Sequence, residues 1–221
     1  MSLLLAGATG LIGQAVMAQW ATAATGQTLH ALVRRPLGAA PQGVQPLLVD
    51  FSALPALPAA DAALCALGTT IKTAGSQAAF RAVDFDAVLA FARAAQAAGV
   101  RRFAVVSAVG ASPRSASFYS RVKGEMEAAV TALGFETLLI ARPSLLTGDR
   151  TALGQPPRRA EALGKMLMAP LGGLLPAAWR PIAGEAVARA LLHTLRTAPA
   201  GVQVLDNARL HDAGHEEKHS A

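Results

Sequence analysis

Seven residues near the start, Gly7-Ala8-Thr9-Gly10-Leu11-Ile12-Gly13, leave this chain few folds to choose from. They follow Ser2-Leu3-Leu4-Leu5-Ala6, an apolar run of strand length. They lead into Leu11 to Ala24, an Ala-rich run with helical spacing whose one internal glycine is Gly13. A turn that tight asks for backbone angles that only glycine adopts without strain. A glycine in the last place lets helix and strand pack closely. Bare backbone at a helix N-terminus, with its free N–H groups, suits a pyrophosphate. The spacing is G-x-x-G-x-x-G rather than G-x-G-x-x-G, a departure from the simplest dinucleotide fingerprint.

The rest of the chain repeats strand and helix in alternation. Thr28–Val33, Gln45–Val49, Asp61–Leu67, Arg102–Val106 and Thr137–Ala141 read as further strands. Residues 77 to 98 and Phe118–Leu133 read as helices, and Gly26, Gly99 and Gly134 end three helices. Residues 71 to 76 read as a loop. The alternation predicts an α/β chain: a doubly wound parallel sheet with helices on both faces. Residues 142 to 221 are less regular and broken by Pro156, Pro157, Pro170, Pro176 and Pro181. Within them Ala183–Leu195 reads as a helix and Val202–Leu205 as a strand. Residues 1 to 211 are expected to form one domain, with a small substrate region mainly in 142 to 211, and residues 212 to 221 a polar, disordered tail. The run Met166–Pro176, rich in Met and Leu, suits a pliable wall for an apolar substrate. His211, His215 and His219 recur every fourth residue, but Gly214 weakens a helix there, and no metal site is expected.

Composition narrows the function. With 52% apolar and 15% charged residues in 221, the chain is globular. Its net charge of +6 comes from scattered residues with only 5% aromatics, which argues against nucleic acid and for an anionic small molecule. The single Cys65 excludes an internal disulfide. No N-terminal signal or membrane-spanning run is seen, so a cytoplasmic protein is expected.

Chemistry-bearing residues gather where strands end, the place where open parallel sheets bind ligands. Arg34 and Arg35 close the second strand, where a site selective for an unphosphorylated ribose carries a carboxylate. A guanidinium there matches a 2′-phosphate, so NADP is expected over NAD. Asp50 and Phe51 close the third strand beside the adenine position, and Leu67-Gly68-Thr69-Thr70 closes the fourth near pyrophosphate and ribose. Tyr119 is the one tyrosine of the chain, and Lys123 follows it by one helical turn on the same face. A nearby ammonium favours the phenolate, which would let the tyrosine exchange a proton near neutral pH.

Gly7 to Gly13, Arg34, Leu67-Gly68-Thr69-Thr70, Val106-Ser107, Tyr119-x-x-x-Lys123 and Arg142-Pro143-Ser144 together resemble the atypical short-chain dehydrogenase/reductases. The branch they look most like is that of the Tat-interacting protein and the NmrA-like proteins. The resemblance implies an NADP-binding Rossmann domain, monomeric or dimeric through the helices at 77–98 and 118–133. It implies Tyr119 as proton donor or acceptor, Lys123 on the nicotinamide ribose, and Arg142, Pro143 and Ser144 close to the nicotinamide. The family's catalytic serine is commonly the second of a Ser-Ser pair, and here the pair reads Ser107-Ala108. Ser107 faces the other way along a strand, so it is expected to be dispensable, with Ser112 or Ser117 as substitutes. The expected activity is NADP(H)-dependent reduction or oxidation of a small apolar carbonyl or alcohol. A cofactor-sensing regulator without turnover is the alternative.

Overall fold

The computed structural model describes residues 1–23, 26–148 and 176–215. Seven strands form one parallel sheet: β1 (Leu3–Ala6), β2 (Leu29–Val33), β3 (Val44–Leu48), β4 (Ala62–Cys65), β5 (Arg102–Val106), β6 (Thr137–Arg142) and, late in the chain, the strand Gly201–Asp206. Their spatial order is β3-β2-β1-β4-β5-β6 followed by Gly201–Asp206. The order reverses between β1 and β4, and the carboxyl ends of the strands at such a reversal are where open parallel sheets bind ligands. Pro46 is tolerated because β3 lies at the sheet edge.

Strand residues alternate between two apolar layers, as a pleat requires. Leu3, Leu5, Ala62, Leu64, Ala104, Val106, Leu139 and Ala141 face α1 (Leu11–Thr22) and the helix Gly184–Thr197. Leu4, Ala6, Ala63, Cys65, Phe103, Val105, Leu138 and Ile140 face two other helices. One of these contains Val88, Phe91, Ala92 and Ala95; the other contains Met126 and Val130. The doubly wound sheet read from the sequence is the fold.

Several elements differ from the sequence reading. Residues expected as a loop include a short helix, α2 (Ile71–Ala74). The Thr70 hydroxyl caps its start and Gly75, at φ 87°, ends it. The helix expected over 77–98 is continuous but not uniformly α. It runs as α3 (Gln77–Arg81), a π-helical stretch over Ala82–Ala87, and α4 (Val88–Ala97). Then come α5 (Phe118–Thr131), a short strand β7 (Leu146–Thr147) paired with β8 (Ile182–Ala183), α6 (Gly184–Thr197), β9 (Gly201–Asp206) and α7 (Asn207–His215). Much of the segment expected to serve the substrate is thus built into the main body: β9 pairs with β6, and α6 packs on α1.

The tail reading is corrected for residues 212–215, which continue α7. Gly214 does not break this helix. A Cβ there would lie 3.1 Å from the Ala186 carbonyl oxygen, so the glycine lets α7 lie close on α6, and Arg189 donates to the Gly214 carbonyl. His219 and the run Met166–Leu175 lie outside the described residues. Among the described residues no cluster of metal-ligating side chains occurs, and no helix is long and apolar enough to cross a membrane.

Candidate nucleotide site

The glycine turn is built as a cradle. Gly7 has φ 86°, and a Cβ on it would sit 2.4 Å from the Ala66 carbonyl oxygen. Its bare backbone lets the end of β1 lie against the segment that leaves β4. A Cβ on Gly13 would lie 2.1 Å from the Gly7 carbonyl oxygen, so the close helix–strand contact demands glycine. Gly10 differs. Its φ is −81°, and its nearest neighbour would be 3.3 Å away, again the Gly7 carbonyl. Gly10 caps α1 with no side-chain hydrogen bond, and no acidic side chain stands in the first turn. The first-turn N–H groups, which have no acceptor within a helix, therefore meet no capping or acidic side chain of their own helix. This cradle fits a pyrophosphate. The side chain of Leu11, just inside the helix, is wedged against Gly148 and Gly184: a Cβ on either would lie 2.4 or 2.7 Å from it.

Around this turn the candidate residues stand at strand ends. Arg34 and Arg35 are exposed after β2. Asp50 is exposed after β3 and accepts from the Ser52 N–H and hydroxyl, which hold its carboxyl below the usual carboxylate range. Phe51 and Leu67 are half-buried against the core. Thr9 and Gly68 are exposed, and Ile12 is buried.

The second half of the site rises from α5. Tyr119 packs against Phe80, with ring centroids 5.4 Å apart. Lys123 is buried, and its Nζ lies 2.8 Å from Asp84 Oδ1 and 3.4 Å from the Val106 carbonyl oxygen. Asp84 is 0% exposed. Its other oxygen, Oδ2, accepts from the Thr69 N–H at 2.8 Å. Burial pushes the Lys123 ammonium down, but Asp84 and then Tyr119 outweigh it and hold the group above its ordinary range. Asp84 sits in the π-helical stretch, a feature frequent at functional sites. Sequence reasoning missed it, since an acid between apolar residues in a helix carries no signal of its partner.

Ser107 is buried, and its Oγ is sealed from solvent with no partner among the described residues, while Ala108 is also buried. Ser112 and Ser117 support the loop: Ser112 Oγ accepts from the Arg114 N–H, and the Ser117 N–H donates to Ser115. Arg142 is committed to a bidentate ion pair with Glu127 of α5, a second buried acid the sequence reading passed over. Pro143 accepts from the Val109 N–H. Ser144 donates to the Arg180 carbonyl, and its N–H is held by the buried Asn207. These three residues thus knit the loops together at the carboxyl ends of β5 and β6.

Residues 7–163 match the NAD(P)H-binding family. The chain belongs to it. Within this NAD(P)H-binding family it is 35% identical over 177 residues to Protein HTATIP2 of Rattus norvegicus, covering 76% of this chain and 69% of the relative. To Protein FMP52, mitochondrial, of Eremothecium gossypii it is 36% identical over 155 residues, 68% of each chain. It is 28% identical to the protein of that name from Debaryomyces hansenii, over 87% of each. These relatives place it in the atypical short-chain dehydrogenase/reductase branch. They also overturn the cytoplasmic expectation, since several carry a mitochondrial designation. Among solved structures, MoeE5 in complex with UDP-glucuronic acid and NAD superposes with a TM-score of 0.72 at 20% identity, over 93% of this chain and 75% of that one. The human epimerase family protein SDR39U1 with NADPH gives 0.63 at 21%, over 95% and 77%. At such identities these two show the fold alone.

Proposed function

We propose that the chain is an NADP(H)-dependent oxidoreductase acting on a small, largely apolar carbonyl or alcohol. The observation that carries this reading is the buried Lys123, one turn from Tyr119 on α5 and beside Gly68-Thr69 at the end of β4. The first turn of α1 would hold the pyrophosphate over Gly10. Arg34 would meet the 2′-phosphate, and Lys123 the ribose next to the nicotinamide. The bound nucleotide supplies or accepts the hydride. Tyr119 gives a proton to the carbonyl oxygen in reduction and takes one from the alcohol in oxidation. Leu145 and Trp179 are exposed on the two segments that Ser144 joins, which supports an apolar substrate there.

A second reading, a nucleotide-binding regulator without turnover, draws support from Ala108 in the family's serine position and from a Ser107 hydroxyl closed to solvent. Calorimetric titration with NADPH and NADH tests the cofactor claim. Losing the phosphate–guanidinium contact should cost about 1.5–3 kcal/mol, roughly ten- to a hundredfold in affinity. Arg34→Ala should erase the preference. Equal affinities of the wild type for both nucleotides would overturn it. An NADPH-oxidation screen with aldehydes, ketones and quinones then separates the two readings: tight binding with no turnover favours the regulator.

A further inference from the structure

Lys123 cannot be reached freely. It is 3% exposed and lies among Asp84, the Val106 carbonyl and Tyr119. An ammonium has three donors. One goes to the Val106 carbonyl oxygen, and Asp84 Oδ1 stands 2.8 Å from the nitrogen as its ion partner. Gly68 lies beside this group. That residue is exposed, and a Cβ on it would sit 3.4 Å from Asp84 Oδ1 and 3.8 Å from Lys123 Nζ. Asp84 in turn is held from two sides: the Thr69 N–H donates to Oδ2, and the Lys123 ammonium stands against Oδ1.

We propose that Asp84 is a positioning residue of the nucleotide site, holding the Lys123 ammonium beside Gly68, where it donates to a ribose hydroxyl of the bound nucleotide. This rests on the cofactor reading above and adds to it the residue through which the lysine acts. A lone lysine on α5 would have other places to go: its four-carbon stem is flexible and its charge prefers water. A buried carboxylate at 2.8 Å removes that choice. The same carboxylate grips the backbone of Thr69 and so ties the lysine to the segment that passes the nucleotide. The position of the ammonium is therefore set before any ligand arrives.

The test compares two ligands on the full chain by calorimetry. NADPH reaches the lysine. Adenosine 2′,5′-bisphosphate carries the adenine-side ribose and its phosphates but no nicotinamide ribose. Asp84→Asn keeps the shape and an acceptor for the Thr69 N–H while removing the charge. It should weaken NADPH about tenfold and leave the bisphosphate within twofold. Lys123→Met should do the same, and the double variant should be no weaker than Lys123→Met, since Asp84 acts through the lysine. A general loss of fold would weaken both ligands alike, and a thermal melt of each variant registers it. If Asp84→Asn does not fold, Gly68→Ala takes its place. Its methyl meets only ordinary contacts and no positive φ, and it should weaken NADPH selectively by standing next to the ammonium. Equal loss for both ligands, no loss for NADPH, or additive losses in the double variant would each overturn the role given to Asp84. A wild type that binds neither ligand would overturn the cofactor reading itself, and this proposal with it.

Discussion

Gly13→Ala should damage the fold, where Gly10→Val should damage only binding. At position 13 the added methyl would lie 2.1 Å from the Gly7 carbonyl oxygen and 2.8 Å from Ala8 Cα. Both are backbone atoms of the turn, so no side chain can swing aside. Helix and turn must separate by about an ångström to reach ordinary contact. Overpacking a well-filled core costs roughly 1–3 kcal/mol, and the rigid neighbour puts this case at the upper end. Alanine recovers about 1 kcal/mol through its better helix propensity. The net loss is about 2 kcal/mol, or roughly 4–8 °C in melting temperature for a chain of this length. Urea unfolding followed by circular dichroism, with a thermal melt alongside, measures it. At position 10 the nearest atom is 3.3 Å away and φ is ordinary. Valine there should leave the melt close to wild type, within the roughly 1 kcal/mol that a changed N-cap commonly costs, while filling the space a pyrophosphate needs. A Gly13→Ala protein as stable as wild type would refute the claim that helix–strand contact demands glycine. A Gly10→Val protein that binds NADPH normally would remove the cofactor from this loop.

Tyr119→Phe should lower turnover about a hundred- to ten-thousandfold, as removal of a general acid–base group does, with NADPH affinity almost unchanged. Ser107→Ala should do far less, since the Ser107 hydroxyl is sealed off from any substrate; steady-state kinetics on a substrate from the screen decides both. On the acid side, Asp61 is held below its ordinary pKa, first by the Ser2 N–H and then by the Ser2 hydroxyl. A lowered folded-state pKa stabilises above the unfolded value near 3.9 and is lost as pH falls through the folded one. Urea unfolding of wild type and Asp61→Asn should therefore differ at pH 6 and converge in stronger acid; a constant gap across that range would refute the linkage.

The sheet was legible because each strand ends at, or within three residues of, a glycine, a charge or a hydroxyl, and because its apolar residues fill both faces. Gly7, Gly10 and Gly13 were legible for the same local reason: turn geometry is written in neighbouring residues. Asp84 was not. Between Val83 and Phe85 it reads as a charge on a solvated face, and Lys123, brought over by α5, together with the Thr69 N–H makes its burial possible. Glu127 hid likewise, four residues after Lys123 and facing a different partner, Arg142. The end of α7 was lost because Gly214 reads as a helix breaker until Ala186 of α6 is known to lie against it.

Cys65 lies at the centre of the sheet, paired with Ala6 on one side and Val105 on the other. Burial pushes its thiol up to about 12, so at neutral pH it is neither ionised nor reachable. The native protein is thus silent toward thiol reagents. A fluorophore can be placed anywhere on its surface through one introduced cysteine, with no need to replace the natural one. Conversely, slow labelling of the unaltered chain would time the rare openings of the strand that borders the nucleotide loop.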